Sequence, residues 1–130
     1  MLKKTIKYED YNGNEITEDF YFNLSKAEVT EMELSRTGGL GSYIERIVAA
    51  QDTPAIIKEF KELILKAYGV KSEDGKRFIK SEELSLAFSQ TEAYTELFME
   101  LATDAEAASA FVSGIIPKTK NNTPSFEKRV

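Results

Sequence analysis

Three stretches carry side chains at spacings that could do chemistry. Ser72-Glu73-Asp74-Gly75 places oxygen ligands before a glycine, as a calcium loop does. Aligning Gly75 with that loop's glycine puts Val70 at the first ligand position and Ser81 at the twelfth, where calcium needs carboxylates, so the stretch reads as a surface turn. Gly38-Gly39-Leu40-Gly41 has the glycine content of a phosphate cradle. It lacks the Lys-Ser/Thr of a P-loop and follows a helical rather than a strand pattern, so it reads as a flexible connector. Glu92, Glu96 and Glu100 fall four apart and form one acidic stripe on a helix. Like charges at that spacing cost a few tenths of a kcal/mol; only Glu92, at the helix N-terminus, is partly compensated. Met99 lies off the apolar stripe of the same helix. Two readings stand: a solvated face, or a docking face for a basic partner with Met99 as an adaptable apolar contact.

Catalysis finds little support in the residue types. The chain has no histidine and no cysteine. The commonest general base, the commonest transition-metal ligand, the thiolate nucleophile and the disulfide are therefore all missing. Serines are present, but none has a neighbour placed to activate it. A carboxylate-pair hydrolase is the catalytic reading left, because acids distant in sequence can meet in a fold. The expectation is a protein that is not an enzyme, with no cofactor and no metal, working by binding other proteins.

The chain has 130 residues, which suits one domain. No apolar run approaches the ~20 residues of a membrane span, and Met1-Leu2-Lys3-Lys4-Thr5 leads into alternating residues rather than a signal-peptide core. A soluble, intracellular protein is expected, bound to no membrane. The net charge is −5, and Lys118, Lys120, Lys128 and Arg129 against Glu127 make the last segment basic, so the part before it is more acidic than the total. That balance argues against nucleic acid and for a partner with basic patches.

The elements that must position these residues follow from periodicity. Leu2, Ile6 and Tyr8, then Ile16, Phe20 and Phe22, sit on even positions with polar residues between, the period of half-buried strands. Asn12-Gly13-Asn14 supplies the turn. A three-residue loop over these positions pairs Ile6 with Phe20, Tyr8 with Glu18 and Lys7 with Asp19, with Asn14 as the left-handed residue. Ser25-Lys26-Ala27-Glu28 is a capping box, with Leu24 and Val29 as its staple, opening a helix that fades near Ser35. Tyr43, Ile44, Ile47 and Val48 form one apolar stripe. Thr53-Pro54 starts a helix holding Ile56, Ile57, Phe60, Leu63, Ile64, Ala67 and Tyr68, with Lys58, Glu62 and Lys66 outside and Gly69 as its left-handed end. After a polar loop, Lys71 to Lys80, Ser81 caps a helix with Leu84, Ala87 and Phe88. Thr91 caps one with Tyr94, Leu97, Phe98 and Leu101, and Asp104 starts one ended by Gly114.

The expected fold is α+β: an N-terminal β-hairpin, 1–24, followed by a mostly α-helical part, 25–117, of about five to six helices. Residues 118–130 are expected to be a mobile basic tail, having one aromatic residue and no periodic apolar set. The hairpin face of Ile6, Tyr8, Phe20 and Phe22, with open strand edges, is the candidate self-association surface, and a homo-oligomer is expected.

Several stretches carry a resemblance: Phe20-Tyr21-Phe22-Asn23-Leu24-Ser25-Lys26-Ala27-Glu28, Tyr43-Ile44-Glu45-Arg46-Ile47-Val48, Lys66-Ala67-Tyr68-Gly69, Asp74-Gly75-Lys76-Arg77-Phe78-Ile79-Lys80, Phe88-Ser89-Gln90-Thr91-Glu92-Ala93-Tyr94, and Glu100-Leu101-Ala102-Thr103-Asp104. Over residues 1 to 117 the chain resembles the tail assembly chaperones of long-tailed (siphovirus-type) bacteriophages of Gram-positive hosts. The resemblance implies a non-enzymatic factor in the bacterial host cytoplasm that coats the tape measure protein and helps tail tube protein polymerise around it. In many relatives a frameshifted longer product recruits the tube protein, and the chaperone is absent from the mature virion. Two other classes are compatible with the residues alone: a virion structural protein, such as a head–tail connector or tail terminator, and a small acidic regulator of a host factor.

Overall fold

Alternating side chains close the first hairpin, and its turn decides the register. In the computed structural model, which describes residues 1–34, 45, 46, 49 and 53–117, β1 (Leu2–Glu9) pairs antiparallel with β2 (Glu15–Phe22). The loop has the expected length but sits one residue earlier. Gly13, not Asn14, is the left-handed residue, at φ 82°. The Gly13 N–H donates to the Asp10 carbonyl at 3.0 Å, and the Asp10 N–H to the Asn14 carbonyl at 2.9 Å. The Asp10 carboxylate also accepts from the Asn12 and Asn14 N–H groups, both at 2.9 Å, and the Asn14 N–H in particular holds that carboxyl below its ordinary range. Glycine takes the left-handed position at no steric cost, so it wins over asparagine.

The register therefore slips by two from the expected one. Ile6 faces Glu18 rather than Phe20, Tyr8 faces Ile16, and Lys7 faces Thr17. A slip of two preserves the faces, because side chains alternate with period two. Ile6, Phe20 and Phe22 stay on the buried face. Thr5 and Asp19 are on the other, where the Thr5 hydroxyl donates to the Asp19 carboxylate at 2.6 Å.

The capping box forms as expected at the start of α1 (Lys26–Leu34). The Ser25 N–H donates to Glu28 Oε1 at 2.7 Å, and the Glu28 N–H to Ser25 Oγ at 3.1 Å. Leu24 and Val29, the staple pair, are both buried. The glycine connector, the Tyr43, Ile44, Ile47 and Val48 stripe and the tail 118–130 lie outside the described residues.

The helix α2 (Thr53–Ala67) buries Phe60, Leu63, Ile64 and Ala67. It does not end on a left-handed glycine. Gly69 belongs to β3 (Tyr68–Lys71), which pairs with β2 through Tyr21↔Gly69 and Phe22↔Tyr68. The supposed polar loop is a second hairpin, in which β3 pairs with β4 (Phe78–Ile79). The four strands make one antiparallel sheet in the order β1-β2-β3-β4. Gly69 is needed there for close approach: a Cβ would lie 2.6 Å from the Phe78 ring and 2.9 Å from the Ile79 carbonyl oxygen.

Three helices close the fold: α3 (Glu82–Ser89), α4 (Glu92–Thr103) and α5 (Ala105–Ile115). Ser81, Thr91 and Asp104 cap them, each side chain accepting from backbone N–H groups of the first turn. Gly114 does not end α5. It lies within the helix, where a Cβ would come 2.9 Å from a Leu2 methyl, so it lets α5 close on β1. The described residues thus contain five helices and a four-stranded sheet, with one sheet face on the helices. Between the layers Phe22 packs on Phe111 at 5.4 Å and on Tyr68 and Phe88 at 5.8 Å. Truncating a buried phenylalanine such as Phe22 to alanine costs ~3–5 kcal/mol.

Candidate protein-binding site

The acidic stripe falls on α4, which packs against β1. The structure draws two of its carboxylates into the chain. Lys4 Nζ lies 3.0 Å from Glu100 Oε1, and the Tyr11 hydroxyl at the hairpin tip donates to Glu92 Oε1 at 2.9 Å. That bond pushes the Tyr11 phenol up from its ordinary value. Glu96 and Met99 are exposed. The stripe thus lies on a seam between α4 and the hairpin, and a docking role would fall to Glu96 and Met99. Lys4, Lys7, Glu96 and Glu100 line a small groove over Ile6 and Leu97, of about 310 Å³.

The candidate self-association face is occupied from within. Ile6, Phe20 and Phe22 are buried in the chain's own core, and Tyr8 packs against it. These residues offer no free apolar face, because α4 and α5 pack on β1 and the Phe88 ring packs on Phe20 and Phe22. Among the described residues β1 is an end strand of the sheet and pairs only with β2. The Tyr8 hydroxyl reaches diagonally to Glu18 Oε1 at 2.7 Å, and this bond, aided by burial, pushes its pKa up to about 12.

The Ser72–Asp74 stretch is the turn of the second hairpin. The Asp74 carboxylate accepts from the Ser72 hydroxyl at 2.6 Å and the Lys76 N–H at 3.0 Å. The Ser72 hydroxyl, first, and the Lys76 N–H hold that carboxyl below its ordinary range. Gly75 sits at φ 73°. Among the described residues no group of three or more acidic side chains could hold a metal ion. No described helix is long and apolar enough to cross a membrane.

Sequence reasoning missed one polar junction. Lys80, just after β4, donates to both carboxylate oxygens of Glu28, at 2.8 and 2.9 Å, and to the Asn23 carbonyl at 2.7 Å. Burial pushes the Glu28 carboxyl up, but the Lys80 ammonium and the Ser25 N–H outweigh it and hold it below its ordinary value. The capping glutamate was legible; its second partner, 52 residues away, had no local signal.

These features define a small α+β protein with capped helices and a sheet face whose aromatic residues are buried against them. Residues 1–124 match the family described as phage tail assembly chaperone, and the chain belongs to it. No curated protein and no solved structure matches the chain. Membership places its work in the assembly of phage tails within the host, in a family that is generally non-enzymatic.

Proposed function

We propose that this chain binds the tape measure protein of a siphovirus-type phage of a Gram-positive host, keeps it soluble, and promotes polymerisation of tail tube protein around it. The observation that supports this reading is the family match over residues 1–124. The chemistry is compatible: a coating protein needs binding surfaces rather than an active site, and gains avidity from acting in several copies. The chain works in the host cytoplasm and is left out of the finished particle. Tail tube protein is recruited by a longer frameshifted product, with 118–130 near the junction.

The test is co-expression with the tape measure protein. The soluble fraction of that protein should rise when this chain is present, and the two should co-purify. No change in solubility together with no co-purification would sink the reading. Mass spectrometry of purified particles separates a chaperone from a virion component: the chain should be abundant in infected cells and missing from particles. Retention in particles at structural stoichiometry would make it a connector or terminator.

A further inference from the structure

A second surface borders the core: Leu65 is half-buried and packs against it, and Leu86 beside it is exposed. The helices α2 and α3 enclose an open groove of about 600 Å³, with Leu65 and Leu86 on its apolar part. Leu86 is 59 % exposed. On α2, Ile57, Lys61 and Leu65 fall four apart, so they share a stripe distinct from the core stripe of Phe60, Leu63, Ile64 and Ala67. Ile57, one turn from the groove on that stripe, is 43 % exposed.

The two walls of the groove are hydrogen-bonded to each other. The Ser85 hydroxyl of α3 donates to the Leu65 carbonyl of α2 at 2.9 Å, tying the two helices beside the apolar pair. The rim is basic: Lys61, Lys66 and Lys80 line it against Glu82. Lys80 is engaged with Glu28; Lys61 and Lys66 are exposed. A net positive rim around an apolar floor, on a chain of net charge −5, selects for the opposite charge.

We propose that the groove between α2 and α3 docks an acidic amphipathic helix of the partner protein. Its apolar face would rest on Leu65 and Leu86, with carboxylates reaching Lys61 and Lys66. Two helices held side by side present the seat into which a third packs by its apolar stripe. The eight residues of α3 set the length of the contact at about 12 Å, some two turns of the incoming helix. This rests on the reading that the partner is the tape measure protein.

The experiment uses the full chain in two variants, Leu86→Ser and Lys61→Glu with Lys66→Glu, each co-expressed with the tape measure protein. Overlapping synthetic peptides of the tape measure sequence are then titrated against the purified chain. Each variant should weaken capture on the order of tenfold, as loss of an anchor or of matched charge does. The peptides that bind should be acidic, helical on binding and salt-sensitive. Capture by the unaltered chain with no loss in either variant overturns the groove but leaves the function standing. No capture by the unaltered chain removes the function itself. Binding confined to basic peptides overturns the charge assignment. If Leu86→Ser converts an oligomer to a monomer without changing capture, the occupant is a second copy. If it lowers the melting temperature by several degrees, the chain fills the groove itself. Either result overturns the proposal.

Discussion

The acidic stripe of α4 and the groove of α2 and α3 are opposite cases. The stripe is conspicuous in the sequence, yet the fold commits Glu100 to Lys4 and Glu92 to Tyr11. The groove has no motif, yet it leaves Leu86 open to solvent beside exposed lysines. A run of charge can mark where a chain joins its own elements. A lone exposed leucine is ordinary surface; Leu86 draws notice because it lies beside half-buried Leu65 in a groove rimmed by exposed lysines. The largest expected contrast between the two regions lies in stability. Leu97 lies under the stripe and is buried, whereas Leu86 lies on the groove. Leu97→Ala should cost about 2–5 kcal/mol, and Leu86→Ala at most about 0.5 kcal/mol. Urea unfolding of both variants checks this, and equal costs would break the comparison.

A smaller effect tests how the groove rim is positioned. Lys80 follows β4, and β4 lies against Gly69 with no room for a side chain. Gly69→Val should overpack this contact at a cost of about 1–3 kcal/mol. Hydrogen exchange should rise in β3, β4 and the start of α1, and stay unchanged in α4. Equal loosening of α4 would mean that the two regions do not behave as separate units.

How much of this was legible depends on the range of each interaction. The caps at Ser25, Ser81, Thr91 and Asp104 could be read because each bond spans only two or three residues. The buried stripe of Phe60, Leu63 and Ile64 could be read because helical period and burial coincide. The hairpin's faces were legible and its register was not, because Gly13 and Asn14 both suit a left-handed position and only the closed turn chooses. The strands β3 and β4 were hidden. Four residues and two are too few to show a period, and Gly69 after a helix resembles a cap until Tyr21 and Phe78 are brought beside it. The stripe's residues were visible, but Lys4 and Tyr11 are remote in sequence and left no sign of where Glu100 and Glu92 would turn. Leu65 and Leu86 were passed over: neither fell on the stripe read for its helix, and a single apolar residue off a stripe gives no local sign of what it will meet.

Acid should separate the regions more finely. Glu28 has its carboxyl pKa lowered in the fold, with burial opposing and Lys80 and Ser25 prevailing. A depressed carboxylate contributes stability above its unfolded value, and the contribution is lost as pH falls through the lowered folded value. Lys80→Met should cost at most about 1 kcal/mol at neutral pH and should flatten the loss of stability on acidification. Thermal melts across the acidic range check this. An unchanged slope would mean that the Lys80–Glu28 pair contributes nothing measurable. The alkaline side has its own sign. Tyr8 is raised from 10.0 to about 12 by its bond to Glu18, so its contribution is complete below the unfolded value and lost as pH rises through the folded one.

The smallest expected effect concerns the stripe itself. Changing Glu92, Glu96 and Glu100 together to Gln relieves two like-charge pairs at helical spacing, each worth roughly 0.2–0.5 kcal/mol. It also weakens the Lys4–Glu100 ion pair, whose side chains are 27 % and 45 % exposed, so that this loss is of the same size. With Glu92→Gln, the side-chain amide carbonyl would still accept the Tyr11 hydroxyl, so that contact is conserved in kind. The opposing terms leave a net change within about 0.5 kcal/mol. If the groove is the docking surface, capture of the tape measure protein should stay within about twofold of the unaltered chain at low salt, well below the factor of about ten that an anchor carries. A large loss of capture, together with a flatter salt dependence, would move docking to Glu96 and Met99 and make α4 the working face. A stability loss of several kcal/mol would instead show that the seam between α4 and the hairpin holds the fold together far more strongly than exposed ion pairs do.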